Sequence, residues 1–85
     1  MKANMVTIAK VFRYNERICR LAKEVIERID DDSKEMSDAL VEEVEATVIW
    51  NEDKWALIAY YSTPEYPIGY DNACNNFLED LTNCL

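Results

Sequence analysis

Glycine is almost missing from this chain: there is one, Gly69, in 85 residues, alongside two prolines, Pro64 and Pro67. Glycine and proline punctuate tight turns, so a chain this poor in both has few of them and must be built from long regular elements. Its length allows one domain, residues 1–85, around one hydrophobic core. An apolar content of 49% suffices for that core and excludes a disordered tail. No internal repeat, low-complexity stretch or linker-like segment interrupts it.

Met5, Ile8, Phe12, Cys19, Ala22, Ile26 and Ile29 recur at alternating steps of three and four, with Asn15 the one polar member of the series. Lys10, Arg13, Arg17, Arg20, Glu24 and Glu27 hold the opposite face. This is the pattern of an amphipathic helix over 5–29 with Asn4 as N-cap. The β-branched and aromatic content of 6–14 offers an alternative, a first strand followed by a shorter helix capped by Asn15. Asp32 with Glu35 three residues on predicts a capping box for a second helix over 33–44.

Residues 44–50 and 55–61 alternate like strands around the polar turn 51–54. Opposing Asn51 and Lys54 pairs Trp50 with Trp55, Val48 with Leu57 and Ala46 with Ala59, which stacks the larger apolar side chains on one face. Residues 60–70 read as a loop, and Asp71 or Asn72 as the cap of a last helix that buries Cys74, Phe77, Leu78, Leu81 and Leu85. The expected fold class is therefore α+β in the order α-α-β-β-α, helices packed on a two-stranded antiparallel hairpin. A lone hairpin is marginal in water. Either the helices cover it, or it forms a four-stranded sheet across a homodimer axis.

The net charge of −8 is unevenly spread: residues 1–29 carry +4 and residues 30–85 carry −12. Asp31, Glu35, Asp38, Glu42 and Glu45 recur at steps of four and three, which places them on one side of the second helix. Successive carboxylates then rise by about 5 Å along the axis, the same order as the phosphate spacing of a DNA strand. Glu52 and Asp53 thicken the patch. Residues 30–53 hold ten acids against Lys34 alone. A charge run on a helix is ordinarily a solvated face, but like charges at helical spacing repel by a few tenths of a kcal/mol per pair. Solubility alone needs fewer. The basic face of the first helix complements the acidic half, within the chain or across a dimer, and a net-negative protein repels nucleic acid.

Catalytic chemistry has little to use. There is no histidine, hence no Ser-His or Cys-His pair, and one glycine cannot build a phosphate loop. A calcium loop beginning at Asp31 and ending at Glu42 fails at its sixth position, where Met36 stands in place of glycine. Cys19, Cys74 and Cys84 have no zinc or redox spacing, and free thiols suit a reducing cytoplasm. No apolar run is long enough for a membrane span. The chain reads as non-enzymatic, without cofactor or metal.

Tyr and Trp are favoured interface anchors. Trp50 and Trp55 are expected to stack across the hairpin in the core, leaving Tyr66 and Tyr70 in the loop as contact residues. In size and charge the chain resembles small acidic inhibitors from phages and mobile elements, among them anti-CRISPR, anti-restriction and uracil-glycosylase inhibitor proteins. That resemblance implies DNA mimicry: the acids and the two tyrosines would block the basic nucleic-acid-binding surface of a host protein. The alternatives are a homodimeric regulatory or structural module, and a small-molecule-binding domain with a pocket under the Tyr-rich loop.

Overall fold

The computed structural model describes residues 4–29 and 36–84, the backbone alone at 36–39. It contains α1 (Met5–Val11), α2 (Glu16–Arg28), α3 (Met36–Trp50), α4 (Lys54–Tyr61) and α5 (Tyr70–Cys84), and no strand among the described residues. The α+β expectation is wrong. Neither the hairpin nor a four-stranded sheet across a dimer axis exists, and both segments assigned to strands are helical.

The single long helix over 5–29 is also broken, at residues 12–15. Asn4 caps α1 by accepting from the Val6 N–H at 2.7 Å, as expected. The chain then reverses through Arg13 and Tyr14, both in the left-handed region at φ 54° and 59°. Tyr14 N–H reaches back to the Ala9 carbonyl and Arg13 N–H to that of Lys10, the paired bonds of a Schellman ending. Asn15 restarts the helix, its side chain accepting from the Ile18 N–H at 3.0 Å. Two non-glycine left-handed residues cost about 1–2 kcal/mol each. The fold-back buries Ile8 and Phe12 completely, each worth about 1.5–3 kcal/mol, and that offsets the strain.

On α3 the buried residues are Leu40, Val44, Thr47 and Val48. Steps of four, three and one form a helical stripe. The alternation Val44, Ala46, Val48, Trp50 is a coincidence within it, since Ala46 and Trp50 face solvent. The helix ends in a second Schellman turn: Asp53 N–H bonds the Val48 carbonyl, Glu52 N–H bonds that of Ile49, and Glu52 takes φ 58°. Residues 51–53 thus form an elbow between two helices, at the position assigned to a hairpin turn.

Phe12 and Phe77 lie at the centre of the core with ring centroids 5.4 Å apart, and Tyr60 stands 6.5 Å from Phe12. α5 packs on α4, α1 and α3, while α2 packs on α3, α1 and α4. The last helix starts at Tyr70, with the Gly69 carbonyl accepting from Ala73 N–H. Asp71 and Asn72 therefore lie inside its first turn, where neither is the cap. Its fully buried face is Ala73, Phe77, Leu81 and Cys84; Cys74 and Leu78 are half-buried on its flank. The expected capping box at Asp32 and Glu35, and the burial of Leu85, lie outside the described residues.

Candidate protein-docking surface

The expected site residues separate into groups. Asp31 and Glu35 lie outside the described residues, and Asp38 is placed by its backbone alone, in the first turn of α3. Glu42 and Glu45 stand exposed on one face of that helix, one turn apart. The same face runs on, one further turn, to Ile49. Glu52 is exposed at the elbow. Asp53 is different: its carboxylate is buried and accepts from Arg17 Nε at 2.7 Å. It is neutralised within the chain and belongs to no surface array. The other ion pair of the basic face among the described residues is weak, Arg20 to Glu16 at 3.9 Å between two exposed side chains. Among the described residues no Lys or Arg lies within ion-pair distance of Glu42, Glu45 or Glu52.

Tyr66 is exposed on the 62–69 loop, where its backbone pairs with Thr63. Tyr70 is half-buried, with the Lys54 ammonium 5.2 Å from its ring centroid; the same ammonium lies 5.9 Å from the Trp55 ring. A cation over aromatic faces in this range is attractive. Lys54 thus links the start of α4 to the start of α5.

The strongest surface signal was not among the expected site residues. Trp50 and Trp55 do not fill a hairpin core: they are 78% and 73% exposed, and Ile49 is 71% exposed. All three flank the elbow, with Glu52 between them in sequence. Once α3 is read as a helix, the buried stripe Leu40-Val44-Thr47-Val48 puts Ile49 and Trp50 outside it. That signal was present in the sequence and was masked by the period-two alternation.

Beside this patch, an open groove of about 400 Å³ runs between α3 and α5, lined by Val41, Val44, Glu45 and Ile49 on one wall and Tyr70, Asp71, Cys74, Asn75 and Leu78 on the other. Glu45 and Tyr70, both expected contact residues, meet here. Burial raises the Tyr70 phenol and the Cys74 thiol above their ordinary pKa values, and the Glu45 and Asp71 carboxylates push both further. Among the described residues the buried Tyr70 hydroxyl has only the Cys74 thiol beside it, a poor hydrogen-bond partner. Desolvation likewise raises the thiols of Cys19 and Cys84, so all three cysteines are protonated near neutral pH and weak as nucleophiles.

A second open depression, between α2 and the elbow, is polar and internally paired. Its volume is about 590 Å³, and Arg17 bonds Asp53 across it while Asn51 donates to Glu24. Among the described residues no group of three or more Cys, Asp or Glu is arranged to hold a metal ion. No described helix is long and apolar enough to cross a membrane. Compared with known proteins, the sequence matches no family model, no curated protein and no solved structure.

Proposed function

We propose that this chain is a non-enzymatic, acidic protein-binding module that covers a basic surface of another protein, in the cytoplasm. The observation that carries the reading is the exposure of Ile49, Trp50 and Trp55 at the elbow, near in the chain to Glu42, Glu45 and Glu52, which pair with no Lys or Arg among the described residues. Leaving large apolar side chains in water forgoes about 1.5–3 kcal/mol each. Tryptophans so placed are frequent anchors, with truncation costing about 2 kcal/mol or more of binding. Exposed ion pairs contribute only about 0.2–1 kcal/mol each. Affinity therefore rests on the apolar trio, while the acids select a positive partner and speed encounter. A basic groove that normally grips phosphates is such a partner, which keeps the phage-type inhibitor of nucleic-acid-handling proteins as the concrete form of the proposal. In that form the contact set is Glu42, Glu45, Glu52, Ile49, Trp50 and Trp55, without Asp53.

The test is capture from host lysate at low and moderate salt, comparing the wild type with Trp50→Ala/Trp55→Ala and with Glu42→Lys/Glu45→Lys. Loss of the same partner in both variants is the expected result. Retention of that partner by both rules the proposal out.

The same exposed trio favours a second reading, in which it joins two copies of this chain. Glu42, Glu45 and Glu52 would then face or flank their own copies, and the net charge of −8 opposes association. Sedimentation of the wild type across a concentration series separates the two readings. A dimer abolished by Trp50→Ala/Trp55→Ala favours self-association.

A further inference from the structure

We infer that the groove between α3 and α5 receives a short basic amphipathic helix, supplied by the partner and lying beside the elbow anchors. The inference rests on the proposed binding function and names the chemistry of the segment that binds. The apolar part of the groove's lining comes from Val41, Val44 and Ile49 on α3 and Leu78 on α5. Val41 and Ile49 are both exposed, with the exposed Glu45 midway between them on the same face of α3. Eight residues of α3 separate them, about 12 Å at 1.5 Å per residue, which matches roughly two turns of a docked helix. A groove of this form between two helices takes the apolar stripe of a third, anchored at positions i, i+4 and i+7.

Charge decides what flanks that stripe. Glu45 lines one wall and Asp71 the other. Glu42, one turn from Glu45, and Glu79, one turn beyond Asn75 on α5, are exposed on the same two helices. Among the described residues no Lys or Arg lines the groove. Lys54 is held over the rings of Tyr70, which lines the groove, and Trp55. Carboxylates on both walls call for cations on both sides of the incoming apolar stripe, so the partner segment is a helix with Lys or Arg flanking Leu-like anchors. An acidic or neutral helix would leave Glu45 and Asp71 partly desolvated without compensation.

The test uses a synthetic helix-forming peptide of about sixteen residues with leucines at i, i+4 and i+7 and Lys/Arg on both flanks. It is titrated into the full chain and followed by amide chemical shifts. Saturable shifts at Val41, Glu45, Ile49, Asp71 and Leu78 are expected, with affinity falling about tenfold or more in Glu45→Lys/Asp71→Lys. The neutral pair Glu45→Gln/Asp71→Asn gives a smaller loss and keeps the measurement interpretable if the reversal disturbs folding. A peptide of equal composition with scrambled leucines must bind more weakly. Equal binding of the scrambled peptide, or shifts confined to the elbow, or self-association through the groove that the peptide does not compete away, would overturn the inference. The two levels fail separately. A captured partner lost from Trp50→Ala/Trp55→Ala yet fully retained by Glu45→Lys/Asp71→Lys leaves the binding function standing and removes the groove helix.

Discussion

Arg17 Nε donates to Asp53 Oδ1 at 2.7 Å, tying the first turn of α2 to the elbow between α3 and α4. The two partners are unequal: the Arg17 side chain is 61% exposed and that of Asp53 only 9%. Solvent screens the pair from the arginine side, so its net contribution is about 1 kcal/mol. Arg17→Ala is expected to lower stability by about that amount in urea unfolding, since it leaves a buried carboxylate without its cation. Asp53→Asn, which keeps a hydrogen-bond acceptor for Arg17, is expected to cost less. Partner capture should be unchanged in Asp53→Asn, because this acid does not reach the docking surface.

Glu52 holds the left-handed position of the Schellman turn at φ 58°, a conformation that glycine adopts without the Cβ penalty. Glu52→Gly should raise stability by about 0.5–1 kcal/mol, read as a higher urea midpoint at constant slope. A lower midpoint would mean that the elbow is not built as described.

The Thr47 hydroxyl is fully buried and has no hydrogen-bond partner among the described residues. Burying a hydroxyl unpaired costs about 1–3 kcal/mol in mutational data. Thr47→Val keeps the shape and removes the orphan, so this variant is expected to be more stable by about 1 kcal/mol, as a raised melting midpoint.

Tyr61 donates its hydroxyl to Asp80 Oδ2 at 2.6 Å. Burial, and then the bond to Asp80, raise its pKa far above the ordinary tyrosine value. A folded-state pKa raised above the unfolded value means that the native chain holds its proton longer. The stabilising contribution is complete below about pH 10 and is lost as pH rises beyond that unfolded value. Difference absorbance should show Tyr61 ionising only with alkaline unfolding. Tyr61→Phe should flatten the alkaline loss of stability while costing about 1 kcal/mol at neutral pH.

Trp50 and Trp55 are the chain's two tryptophans and both face solvent. Their fluorescence should resemble that of indole in water and be readily quenched by acrylamide. Replacing either by Ala should shift stability by no more than about 0.5 kcal/mol. A blue-shifted, protected spectrum in the isolated chain would indicate that the patch is already covered, as by a second copy.

How far the sequence could be read differs by element. The cap at Asn4 was legible because a side-chain oxygen satisfying a helix-start N–H is a local interaction, whereas Asn15 entered as a cap only in the alternative that made 6–14 a strand. The loop between Tyr61 and Tyr70 was legible because Pro64, Pro67 and Gly69 restrict or free the backbone locally. The α3–α4 elbow was not. A left-handed residue there is normally glycine, and this chain uses Glu52; the α1–α2 reversal likewise uses Arg13 and Tyr14. With glycine nearly absent, helix ends left no mark, and residues 51–54 read as a hairpin turn. Burial of the polar Thr47 further disguised the helical stripe of α3.

The candidate surface follows the same division. Glu42 and Glu45 were placed together from spacing alone, because three residues apart on a helix is one face whatever surrounds it. The removal of Asp53 by Arg17, and the exposure of Ile49, Trp50 and Trp55, depend on contacts between segments distant in the chain.

By itself the sequence determined the cap at Asn4 and the spacing of the charges, properties of a residue and its near neighbours. Only the tertiary structure decided that 44–50 and 55–61 are helices, which acid is neutralised and which aromatics stay in water. Those outcomes turn on whether one helix can bury its stripe against another. For apolar segments this short, helix and strand periods are nearly degenerate, and packing against α2 and α5 breaks the tie.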